Sequence, residues 1–148
     1  MRKLTKFAAG GAIAATALLV APSAHASDYH HGRDPIATGC TAGAYAISSW
    51  PLVNTRYNQV QGSIQLMYSP NCQTNWINLY GNVNGNEYAA GIFVGSVPGG
   101  GMHAGFSNAG SDYSLMVYAP GSTCVTVGSN ITDIQSGVVE MNDSRYFC

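Results

Sequence analysis

Hydrophobic and polar residues alternate with period two over much of the chain beyond residue 40. The clearest case is Val60, Gly62, Ile64, Leu66 and Tyr68 interleaved with Gln61, Ser63, Gln65 and Met67, an apolar face opposite one that is polar except for Met67. Ser69-Pro70-Asn71 breaks this pattern. Thr74 to Tyr80 resumes it in extended, aromatic-rich form, so the two segments predict a hairpin with Cys72 at its turn. Further strands are expected near residues 44–50, 88–97, 113–119 and 123–128, with a shorter one near 137–141. Gly- and Asn-rich turns separate them: Gly81 to Glu87, Pro98 to Gly101 and Ser107 to Asp112. Past the first 26 residues no long segment spaces its apolar positions at 3.6, and no repeat or heptad is present. The expected fold class is therefore all-β, a small antiparallel sandwich or barrel.

The N-terminus has a different pattern. Arg2, Lys3 and Lys6 precede an apolar run from Phe7 to Ala21, and Ala24-His25-Ala26 places small residues at the −3 and −1 positions of a cleavage site. This is the form of a secretory signal peptide, and the run falls short of the roughly 20 residues that span a bilayer. The expected organisation is a signal peptide over 1–26, an extended polar segment over 27–39 broken by Gly32 and Pro35, and a single β domain over 40–148. The expected location is outside the cell.

Removing residues 1–26 takes away three of the six basic residues and leaves Arg33, Arg56 and Arg145 against seven carboxylates, a net charge of −4 with no lysine. Such a domain releases few counterions from phosphates, so neither nucleic acid nor an anionic membrane is an expected partner. The four cysteines, Cys40, Cys72, Cys124 and Cys148, suit an oxidising compartment. Four cysteines allow three pairings; Cys40 with Cys72 and Cys124 with Cys148 are favoured because each closes a local loop and the second ties down a terminus. A zinc site of all four is disfavoured by the wide spacings and the lack of a C-x-x-C pair.

Two motifs meet these cysteines, DPIATGC over Asp34 to Cys40 and IQLMYSPNCQTNW over Ile64 to Trp76. In this order they resemble an uncharacterised family of secreted bacterial proteins, chiefly actinobacterial, with an Asp-Pro-x-x-Thr-Gly-Cys opening and a Tyr-Ser-x-x-Cys-x-Thr-Asn-Trp strand end. The resemblance covers residues 34–80 and supplies no activity; it also implies the pairing of Cys40 with Cys72. The family carries charged residues where this chain has Gln65 and Met67, and a basic residue where it has Asn78.

Candidate chemistry is sparse. His30 and His31, beside Asp28 and Asp34 and with a distant His103, offer metal ligands, but adjacent residues of an extended chain point opposite ways, so they read as structural or solvated histidines. A copper site at a terminus starting with Asp28 would need cleavage after Ser27, a poorer processing site. Gly105 to Ala109 with His103 only approaches a nucleophile elbow, which needs a strand-to-helix turn. Pro98 to Gly101 has no following lysine and reads as a loop rather than a phosphate cradle. Glu87 and Glu140 read as solvated turn or strand residues. No catalytic set, metal or cofactor is expected.

Nine tyrosines, Trp50, Trp76 and eleven asparagines beyond residue 26 provide flat faces and amide groups suited to a neutral, hydroxylated ligand, although strands and turns use the same residues. The expected function is that of a secreted, non-enzymatic binding or structural module of the cell envelope. Its expected partner is a cell-wall polysaccharide or another extracellular protein, with Trp76, Tyr80, Asn75 and Asn78 as the contact residues. The competing expectation is a protease inhibitor or antimicrobial effector presenting the 98–112 segment as a rigid loop.

Overall fold

The computed structural model describes residues 28–95 and 101–148. The signal segment and Pro98 to Gly100 of the glycine loop lie outside the described residues. The described chain is all-β, with strands β1 (Tyr45–Asn54), β2 (Gln59–Ser69), β3 (Thr74–Gly81), β4 (Asn86–Val94), β5 (Met102–Ser107), β6 (Gly110–Tyr113), β7 (Val117–Tyr118), β8 (Val125–Asp133) and β9 (Val139–Phe147). They form two antiparallel sheets: β1-β2-β3-β6, with β7 also pairing β3, and β5-β4-β8-β9. Both favoured cysteine pairs are disulfides, Cys40–Cys72 and Cys124–Cys148.

The sheets face each other across one apolar layer. Leu52, Ile64, Leu66, Ile77 and Leu79 of the first sheet meet Tyr88, Ile92, Val125, Val127 and Ile131 of the second, nearly all without solvent contact. Two interior-facing residues of one strand lie two positions apart, which is the period-two signal of β2 realised in packing. Tyr88 is fully buried and fits only because Gly81 has no side chain; a Cβ there would lie 2.5 Å from the tyrosine ring. A second apolar cluster covers part of the first sheet's outer face, with the Cys40–Cys72 bridge, Trp76 and Met116 at its centre.

Three register shifts decide which side chains face inward. Leu52 pairs with Gly62 and Val53 with Val60, so Gln61 is an extra residue in β2. The resulting bulge buries Gln61 and exposes Val60, the reverse of the simple alternation. A second bulge places Glu140 between Val139 and Met141, which pair with Thr132 and Ile131. Glu140 is thereby buried, contrary to the expected solvated residue. A third bulge at Ile47 interrupts β1.

The segment from 98 to 112 differs from the expected loop. Its described part carries β5 and β6, joined by a tight turn in which Asn108 takes φ 70°. The expected 113–119 strand is likewise divided, because Ser114 folds against β3: its amide donates to Ile77 O and its hydroxyl accepts from Ile77 N. Instead of an extended lead-in, residues 28–44 form a 3-10 turn at Asp28–His30 followed by further turns. Gly32 N donates to Met116 O and Met116 N to Arg33 O, which docks this segment on the sandwich.

Candidate functional site

The two ends of the sandwich are built from opposite chemistries. At the end holding Asn54, the bulges bring Gln61 and Glu140 against Asn54 and Asn86, all four nearly solvent-free. The Asn54 amide donates to Gln61 Oε1 at 3.1 Å and to Glu140 Oε2, while Asn86 donates to the same Gln61 oxygen at 2.7 Å. Asn54 Oδ1 accepts from the amides of Arg56 and Tyr57, so this residue also shapes the β1–β2 turn. The result is a polar plug whose donors and acceptors serve each other.

The other end is open. Tyr45 and Tyr68, paired across β1 and β2, meet Asn75 of β3 and Tyr146 and Phe147 of β9 around a cleft of about 540 Å³. Its lining includes Ala119 and Val125, and among the described residues no Asp, Glu, Lys, Arg or His side chain lines it. Ligand sites commonly occupy roughly 300–1,000 Å³ with apolar walls and a few polar groups. Tyr45 and Tyr68 pack edge to face with centroids 5.9 Å apart. Tyr45 is 53% and Tyr146 56% exposed, so their ring faces are available. Asn75 donates Nδ2 to Met67 O, which fixes its amide plane at the cleft wall.

Four tyrosine hydroxyls outside the cleft are bonded within the protein. Tyr88 bonds Gln61 O and Val83 O, Tyr113 bonds Asp34, Tyr118 bonds Gln73, and Tyr80 reaches Gln65. Among the described residues the hydroxyls of Tyr45, Tyr57, Tyr68 and Tyr146 have no protein partner. Three of these four tyrosines line the cleft.

The four contact residues expected from sequence are divided between faces. Asn75 lines the open cleft. Trp76 points the other way along β3 and is 3% exposed, packed with Cys40, Cys72 and Met116. Asn78 and Tyr80 follow Trp76 on the outer face, beside shallow depressions of about 260 and 220 Å³ near Tyr113. Their side chains hold Gln65 Oε1 at 3.4 and 3.5 Å. Much of the asparagine-rich run serves turns and the plug: Asn71 donates to Ala42 O, Asn84 accepts from Ala109 N, and Asn86 enters the plug. Tyr45, Tyr68 and Tyr146 were not singled out by the sequence pattern, because the cleft joins strand ends far apart in the chain.

The remaining chemistry is local. Asp34 Oδ1 accepts from the Ile36 and Ala37 amides and Oδ2 from the Tyr113 hydroxyl. The Ala37 amide, assisted by that of Ile36 and by Tyr113 against partial desolvation, holds the Asp34 carboxyl below its usual pKa. The same Asp34 bond, with desolvation and the charges of Asp34 and Asp112, raises the Tyr113 phenol. His31 Nδ1 accepts from Tyr118 N, whereas His30 Nδ1 lies 3.6 Å from Cys40 Sγ. His103 packs edge-on against Phe93. The Gly105 to Ala109 segment is the end of β5 and a hairpin turn, not a strand-to-helix elbow.

A family model described as protein of unknown function (DUF2690) matches residues 28–133. The match spans most of the chain, and the protein belongs to this family of unknown function. No curated protein and no solved structure matches it. The two disulfides are consistent with an extracellular protein.

Proposed function

We propose that the protein is a secreted, non-enzymatic binding module that takes a neutral, hydroxylated ligand, such as a segment of cell-wall polysaccharide, in the tyrosine cleft. The observation supporting this reading is that three tyrosines with unpartnered hydroxyls line one cleft whose described lining has no Asp, Glu, Lys, Arg or His side chain. A sugar ring has apolar C–H faces that pack on aromatic rings and hydroxyl edges that exchange hydrogen bonds with phenols and amides. Charge is unnecessary for either contact, which agrees with a described lining that has no Asp, Glu, Lys, Arg or His side chain. The rings are presented by strands within a disulfide-tied sandwich, so little ordering accompanies binding.

The test is a pull-down of oxidised residues 27–148 on insoluble peptidoglycan, chitin and cellulose. Saturable binding that falls at least about tenfold in Tyr45→Ala and Tyr146→Ala, but persists in Tyr80→Ala, is expected; tenfold corresponds to about 1.4 kcal/mol, within reach of one lost aromatic contact. Both cleft tyrosines are more than half exposed, so these variants keep the fold. Loss in Tyr80→Ala alone would move the site to the outer face of the first sheet. Absence of binding to all three polymers would refute the polysaccharide reading.

A further inference from the structure

We propose that reduction of the Cys40–Cys72 bridge converts it, together with His30, into a zinc site. The proposal is independent of the tyrosine cleft. A ring nitrogen of His30 and the sulfurs of Cys40 and Cys72 all lie within 4.8 Å of one another. Three soft or borderline ligands so disposed match the thiolate and imidazole set that zinc prefers. The geometry is close to that of a loaded site. Zinc bonds of about 2.3 Å to sulfur and 2.0–2.1 Å to nitrogen put two ligands of a tetrahedral ion roughly 3.6 Å apart. His30 Nδ1 is 3.6 Å from Cys40 Sγ. Only the bonded sulfur pair has to separate, which side-chain rotation brings about.

The histidine is held for this role by its surroundings. Its carbonyl accepts from Arg33 N, Arg33 O accepts from Met116 N, and its ring packs edge-on against Tyr29 at 5.2 Å. The neighbouring His31 is committed to Tyr118, so only one of the adjacent imidazoles faces the sulfurs. Cys40 is fully buried and Cys72 nearly so, in a cluster with Trp76 and Met116 that limits water around the site. A disulfide sulfur is a weak hydrogen-bond acceptor, and the His30 contact gains little in the oxidised state. It gains far more once the sulfurs are thiolates.

The chemistry balances with a dithiol as reductant. The dithiol reduces the bridge to two thiols and is itself oxidised to a cyclic disulfide; zinc then displaces two thiol protons and takes neutral His30 Nδ1, leaving a fourth position for water. The site therefore exists only in the reduced chain.

Zinc affinity is measured by competition with a chromophoric chelator, using the full chain, oxidised and dithiol-reduced. A Cys124→Ser/Cys148→Ser chain carries the same measurement with a single cysteine pair. One zinc per reduced chain, none in the oxidised chain, and at least about a tenfold weaker site in His30→Ala are expected, in line with the sensitivity of zinc sites to their ligand shell. Cobalt substitution should give a thiolate charge-transfer band that changes in His30→Ala. Equal zinc binding by the oxidised chain, no binding after reduction, or an unchanged affinity in His30→Ala would each overturn the proposal. So would a reduced chain that is unfolded by circular dichroism and stays so when zinc is added.

Discussion

Replacing Asn54 by Ala removes the residue on which the buried plug converges. Its side chain makes four hydrogen bonds: to Gln61 Oε1, to Glu140 Oε2, and from the amides of Arg56 and Tyr57. A neutral hydrogen bond contributes about 1 kcal/mol net, and one to a charged group about 1.5–3 kcal/mol. Glu140 is 5% exposed, so losing Asn54 leaves a buried carboxyl oxygen unsatisfied, which costs about 1–3 kcal/mol and is the larger part. Counting the Glu140 bond, the Gln61 bond and a turn cap of about 1 kcal/mol gives a loss of about 4 kcal/mol. Natural domains have about 5–15 kcal/mol in total, so the variant should be folded but fragile. Guanidinium titration followed by tryptophan fluorescence, with the disulfides intact, should show the midpoint falling by about 1 M at unchanged slope. Glu140→Gln offers Asn54 a carbonyl in place of the carboxylate and should lose only about 1 kcal/mol. A loss below about 1 kcal/mol in Asn54→Ala would mean that the plug is hydrated and that the bulges do not bury a closed network.

Trp76→Ala should destabilise the protein by about 3–5 kcal/mol, since it opens a cavity beside the Cys40–Cys72 bridge, and thermal unfolding of the oxidised chain measures it. An unchanged melting temperature would place the indole outside the packed cluster. The Asp34–Tyr113 tie should give stability two pH limits. Asp34 is held below its ordinary pKa, so its contribution is present above the unfolded value and disappears as acid takes the pH through the folded one. Tyr113 is held above its ordinary value near 10, so its contribution is complete below that value and disappears as alkali takes the pH through the raised one. Tyr113→Phe should abolish the alkaline limb in a pH series of denaturation midpoints, and an alkaline limb unchanged in the variant would assign it to another tyrosine.

Where interactions are local, the sequence was a good guide to the fold. The alternation through Ile64, Leu66 and Tyr68 is the buried face of β2, and the cysteines pair within their own loops. The same alternation misplaced Val60 and Gln61, because a bulge adds a residue to one strand without any mark in its composition. Glu140 was hidden for the same reason. Strand β5 left little signal, since Ala104 and Gly105 supply its centre and its stability comes from pairing with β4 rather than from its own propensity. Pairing across distant segments is a property of the assembled sheet.

The candidate site was legible as chemistry but not as geometry. The sequence offers tyrosine and asparagine as contact side chains, but period two sends Asn75 and Trp76 to opposite faces of β3, so adjacency in sequence does not make one surface. The cleft draws Tyr45, Tyr68, Asn75 and Tyr146 from four strand ends, an association visible only after the sheets are stacked. The contrast between the two ends of the sandwich bears on what the cleft is for. At the Asn54 end, two bulges turn polar residues inward until they satisfy one another. At the opposite end lies a third bulge, at Ile47, and exposed tyrosines stand around the cleft. A chain that needed only to cap its core had the means to do so twice. The exposed rings of Tyr45 and Tyr146 leave apolar surface that a ligand would cover, as the proposed recognition role requires.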